Sequence, residues 1–173
     1  MGLKVQMMVM SLKDDLVSFL GGGERRVVML GIGSSIRSDD AVGPAVVDNL
    51  KGRKMDGVLL LNTDTRPENF TGLIRQFDPT HVIMVDAAHL KEPAGTAKII
   101  PKEKIGGEPV STHHLPLTEL VNFIEGTMNA DVVLIGIQPL SISYGTEMTD
   151  ILKEAAKRVS DLIFEAVTEK RDI

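Results

Sequence analysis

Four runs of consecutive apolar residues constrain this chain most. They read RVVMLG at 26–31, VLLLN at 58–62, HVIMVDA at 81–87 and VVLIGIQP at 132–139. Apolar residues in unbroken sequence, rather than in alternation, mark strands buried on both faces. The intervening segments carry helix signals. Ser11-Leu12-Lys13-Asp14 has the form of a capping box before DLVSFL, with a stop at Gly21-Gly22-Gly23. A second helix is predicted over about 41–50, with Pro44 in its first turn, and a third over 67–77, with Leu73, Ile74 and Phe77 at core spacing. TAKIIP at 96–101 reads as a shorter strand, and 118–125 as a helix stopped by Gly126. Thr149 caps a long last helix, with Leu152, Ala155, Ala156, Val159, Ile163 and Ala166 on one stripe. Buried strands alternating with helices predict an α/β sandwich around a mostly parallel sheet.

At 173 residues, without repeats or linkers, the chain is expected to form one domain over 1–173, with 1–25 as an N-terminal helical extension. A net charge of -5 and 3% aromatics point away from nucleic acid. The absence of Cys removes disulfides, thiolate metal sites and a thiol nucleophile, and fits a reducing compartment. The N-terminus lacks an uninterrupted apolar core and a small-residue cleavage site, so neither a leader nor a membrane span is expected. The expectation is a cytoplasmic protein with no membrane insertion, and a monomer.

The candidate chemistry begins at 29–44, MLGIGSSIRSDDAVGP. A Gly-rich turn between strand and helix suggests phosphate. The third glycine of a dinucleotide fingerprint is replaced by Ile36, however, and no Gly-Lys-Ser/Thr follows. Two carboxylates, Asp39 and Asp40, would also repel phosphate. They read either as helix-start acids favoured by the dipole or as site residues. Ligands of open α/β sheets bind beyond the carboxyl ends of the strands, where strand order reverses. With an initial 2-1-3 order, Asp39 and Asp40 after strand 1 and Asp86 at the end of strand 3 converge there. Asp86 alone reads equally as a turn residue. His113 and His114 are adjacent, so at most one faces a given site. Two carboxylates and one imidazole form an open divalent-metal set. His89 is a spare ligand, whereas His81, at a strand start, is not a candidate. No Gly-x-Ser-x-Gly elbow and no His-Glu-x-x-His occurs.

Taken together, GIGSSIRSDDAVGP (31–44), RPEN (66–69), VIMVDAA (82–88), STHHLPL (111–117) and LIGIQP (134–139) resemble the hydrogenase maturation proteases, endopeptidases of the HycI and HybD type, and the HycI branch more closely. The resemblance implies a three-layer α/β/α sandwich around a twisted sheet of about five strands. It implies an enzyme that removes a C-terminal extension from the [NiFe] hydrogenase large-subunit precursor after nickel insertion. Asp40, Asp86 and His113 map onto the family's metal-contacting and catalytic positions. The enzyme would hold no metal tightly of its own, the nickel being supplied by the substrate. The alternative is a nickel-dependent assembly factor that binds the large subunit without cutting it. Two departures stand out. The usual Gly-Asp-Asp/Glu-Gly reads Ser38-Asp39-Asp40-Ala41, and the usual Asp-Gly-Gly after strand 2 reads Asn62-Thr63-Asp64.

Overall fold

A computed structural model of the chain describes residues 2–105 and 117–170. The elements, in order, are α1 (Leu3–Leu20), β1 (Val27–Ile32), α2 (Val42–Leu50), β2 (Val58–Asp64), α3 (Thr71–Phe77), β3 (His81–Ala87), β4 (Ala97–Ile100), α4 (Lys102–Ile105), α5 (Leu117–Met128), β5 (Asp131–Ile137) and α6 (Asp150–Thr168). Short 3-10 turns at Ser38–Ala41 and Pro67–Phe70 lead into α2 and α3. The strands form one sheet in the order β2-β1-β3-β5-β4. All neighbours are parallel except β4, which runs antiparallel to β5.

Consecutive apolar residues produce this architecture because alternate side chains leave opposite faces of a strand. Val27 and Met29 of β1, Ile83 and Val85 of β3, and Val133 and Ile135 of β5 pack with α1, α2 and α6. Val28 and Leu30, Val82 and Met84, and Val132 and Leu134 pack with α3 and α5. The result is the expected sandwich of three layers around five strands. All six residues of the stripe predicted on α6 are buried. Each fully buried Val, Leu or Ile in such a face stabilises by roughly 1.5–3 kcal/mol.

The structure corrects four local expectations. The helix continues through Ser11, so no capping box forms there; residues 3–10 are good helix formers. Leu12, Leu16 and Leu20 of α1, four residues apart, are buried in the same core as α6. Gly126 lies inside α5, and the chain turns instead at Asn129, in the left-handed region at φ 52°. Leu73 is 50% exposed, because the seven-residue α3 buries only Ile74 fully. Finally, the last strand at 132–139 begins at Asp131 and ends at Ile137. No described helix is long and apolar enough to cross a membrane.

Candidate active site

α2 follows β1 on one face of the sheet and α3 leads to β3 across the other, so strand order reverses between β1 and β3. Two glycines bring the start of α2 directly onto this point. Gly33 has φ 147°, and a Cβ there would lie 1.8 Å from the carbonyl oxygen of Asp40. A Cβ on Gly43 would lie 2.3 Å from the carbonyl oxygen of Ile32 and 2.4 Å from that of Val85. Only a residue without Cβ tolerates either approach. The glycines thus seat a carboxylate-bearing turn on the ends of β1 and β3, and need no phosphate to explain them.

The adjacent acids of that turn have different surroundings. Asp39 is fully buried, and its carboxylate accepts four hydrogen bonds. The amides of Leu140 and Ser141 donate to Oδ2 at 2.9 and 3.0 Å, and the Thr149 amide donates to Oδ1 at 2.7 Å. The Thr149 hydroxyl lies 2.9 and 3.0 Å from the two oxygens. Asp39 therefore anchors the loop after β5 and the first residue of the α6 cap. It is a helix-start acid, but for α6 rather than α2. Asp40, 1% exposed, accepts a 2.8 Å hydrogen bond from the Ser34 amide.

Asp86 is the penultimate residue of β3 and is fully buried. It follows Val82 and Met84 in the alternation, which places it on the α3/α5 side of the sheet. Its partner on β5 is Gly136. The structure thus brings Asp40 and Asp86 to the same end of two adjacent strands. His113 and His114 lie outside the described residues; the chain re-enters at Leu117, where α5 begins at this same end of the sheet. His89 is exposed. His81 sits at the opposite end, with Nδ1 2.7 Å from the Thr80 hydroxyl and its ring edge-on to Phe19. Burial holds its pKa below the ordinary histidine value, with Arg25 adding to the effect and Asp131 and the Phe19 backbone opposing it. Among the described residues no group of three or more metal-ligating side chains gathers.

A groove of about 380 Å³ adjoins the carboxyl end, between the turn at Pro67–Phe70 and the start of α5. Pro67, Glu68, Thr71, Leu117, Leu120 and Phe123 line it. Glu68 Oε2 is buried and makes no hydrogen bond among the described residues. The sequence signal for Glu68 was an acid in the first turn of the predicted 67–77 helix, within RPEN. Its significance depends on α5, about fifty residues later, so local reading missed it.

The family model for hydrogenase maturation protease of the HycI type matches residues 44–166. The chain belongs to the hydrogenase maturation protease family. It is 32% identical over 147 residues to a protein of Methanocaldococcus jannaschii assigned to this family, covering 80% of this chain and 87% of that one. It is 28% identical over 133 residues to the hydrogenase 3 maturation protease of Escherichia coli K12, covering 76% and 85%. The crystal structure of the [NiFe] hydrogenase maturation protease HycI from Thermococcus kodakarensis superposes with a TM-score of 0.81 at 38% identity, covering 92% of this chain and 99% of that one. The chain is accordingly a hydrogenase maturation endopeptidase of α/β fold. Its resemblance to the HycI branch is borne out by the matching model and by the Thermococcus structure.

Proposed function

We propose that this endopeptidase removes a C-terminal extension from the [NiFe] hydrogenase large-subunit precursor once nickel has been inserted. In this reading Asp40, Asp86 and His113 contact the nickel carried by the precursor. The supporting observation is the convergence of two buried carboxylates from different strands at the β1/β3 switch point. Carboxylate and imidazole donors suit a divalent first-row metal. Three protein ligands leave room for a metal that keeps ligands from its own site, so a precursor without nickel would present nothing for them to engage.

The chain's own contribution is rigid placement. The Ser34 amide fixes the Asp40 carboxylate, and the Gly33 and Gly43 contacts fix its backbone. Asp86 is fixed by its pairing with Gly136 of β5, directly after Val85, which is paired on both sides of β3. With the precursor's tail laid across the strand ends, one carboxylate accepts a proton from the water that attacks the scissile carbonyl, and the proton passes to the amide nitrogen as the C–N bond breaks.

The test is a processing assay on purified precursor, with and without nickel, read by intact mass. Loss of a C-terminal peptide from the nickel-loaded form alone is expected. Equal cutting of both forms would remove nickel from the reading. Binding without cutting would favour the assembly factor.

A further inference from the structure

Among the described side chains with a buried polar atom that lacks a hydrogen-bond partner, Glu68, beside Arg37, Asn62 and Thr118, is the acid that the scheme above leaves without a task. An acid in the first turn of a helical segment is favoured by the dipole. That accounts for the residue type but not for the burial of Oε2 in a half-buried side chain. A carboxylate stabilised only by the dipole keeps both oxygens in water, whereas Oε2 here is withdrawn from solvent with no donor supplied. The groove around it contains a second carboxylate, the exposed Glu119, and no Lys or Arg among the described residues. Arg75, the cation of α3, lies over the Phe123 ring of the groove wall at 5.7 Å and donates to Thr127, and it makes no hydrogen bond to Glu68 Oε2. The rest of the wall is apolar, with Phe123 42% exposed.

An apolar wall ending in an unsatisfied carboxylate complements a long side chain with an aliphatic stem and a cationic head. We propose that Glu68 is a specificity residue for the polypeptide substrate. It accepts the charged head of a Lys or Arg near the bond to be cut, and the stem lies along Leu117, Leu120 and Phe123. The groove shares the α3/α5 side of the sheet with Asp86, so a segment held there passes the strand ends. This inference rests on the reading of the site as one that cuts a polypeptide.

The experiment separates the two. Fluorescein-labelled heptapeptides that differ only in a central Arg or Gln, flanked by Ala and Val, are titrated against wild type and Glu68→Gln by anisotropy. Wild type is expected to prefer the Arg peptide about tenfold, and Glu68→Gln to lose that preference. In parallel, precursors whose basic residues near the cut are changed singly to Glu are processed by wild type and by Glu68→Lys. One of them is expected to be cut poorly by wild type, through a raised KM, and to be restored by Glu68→Lys. Thermal unfolding accompanies both assays: Glu68→Gln should melt no lower than wild type, since no hydrogen bond from the described residues to Oε2 is lost. Indistinguishable binding of the two peptides, or a preference that survives in Glu68→Gln, overturns the proposal. Failure of wild type to cut any precursor, with the peptide preference intact, overturns the processing reading and leaves the groove assignment standing.

Discussion

Asp39 and Asp40 are neighbours with opposite expected phenotypes, and Asp39→Asn is the sharper test. In wild type the Asp39 carboxylate takes three backbone amides and one hydroxyl, with no exposure to water. An Asn carbonyl can replace Oδ2 and keep the Leu140 and Ser141 amides. Its NH2 group then faces the Thr149 amide, which loses its acceptor, while the Thr149 hydroxyl can turn to accept. One charge-assisted bond is lost and one donor is stranded, a cost of about 2–3 kcal/mol. The reverse flip strands two amides and is worse. For a chain of this length that loss lowers Tm by about 4–12 °C. Asp39→Ala removes all four acceptor contacts and should cost about 3–5 kcal/mol. Urea unfolding followed by circular dichroism gives the free energy, and precursor processing at a temperature where the variant remains folded gives the activity. Asp39→Asn should be clearly destabilised yet retain processing per folded molecule. Stability within about 0.5 kcal/mol of wild type would refute the anchoring argument. Loss of processing in fully folded Asp39→Asn would show that the wrong acid had been placed in the site.

Asp40→Asn, Asp86→Asn and His113→Ala should each lower processing by about a hundredfold or more while melting cooperatively, and His114→Ala should lower it less; single-turnover mass spectrometry checks both. Gly43→Ala should cost about 3 kcal/mol or more, because its Cβ meets the carbonyls of Ile32 and Val85, and the displaced Asp40 should lower processing in whatever folds. The pKa of His81 is depressed by burial, so the unfolded chain binds its proton more readily than the folded one. The stability this provides is complete above the unfolded value of about 6.5 and is lost as pH falls from there through the folded pKa, and His81→Phe should flatten that part of a urea-midpoint profile.

The sheet was legible because its signal is local. Val27 to Leu30, Val82 to Val85 and Val132 to Ile135 each announce burial on both faces without reference to any other part of the chain. The convergence of Asp40 and Asp86 was legible one level up, through the rule that places ligands at the switch point. Roles that depend on distant partners were not. Asp39 bonds to Thr149, 110 residues away, and nothing in SDDA distinguishes an acid anchoring another helix from one facing a ligand. Glu68 reads as an ordinary first-turn acid until α5 closes a groove over it. Helix ends misled where a local stop signal competed with good flanking residues. Ser11 lies inside α1 and Gly126 inside α5, at a cost of about 1 kcal/mol for the glycine.

The conformation of Ser38 accounts for the glycine that the resemblance leads one to expect at this position. Ser38 has φ 48°, the left-handed region where glycine avoids a penalty of about 1–2 kcal/mol borne by other residues. The serine recovers part of this with its side chain: the hydroxyl donates to the Glu147 carbonyl at 3.0 Å, beside the Ser38 amide, which donates to the Thr146 carbonyl at 3.1 Å. These bonds fasten the turn bearing Asp39 and Asp40 to the loop that Asp39 itself holds. Ser38→Gly removes both the strain and the hydroxyl bond, two terms of about 1 kcal/mol and opposite sign, so its stability should stay near that of wild type. Ser38→Ala keeps the strain and loses the bond, and should be destabilised by about 1 kcal/mol. Urea unfolding of the three proteins should therefore rank alanine below glycine. If alanine matches or exceeds glycine, the backbone is not strained at this position, and if alanine matches wild type, the hydroxyl bond is not what holds this turn.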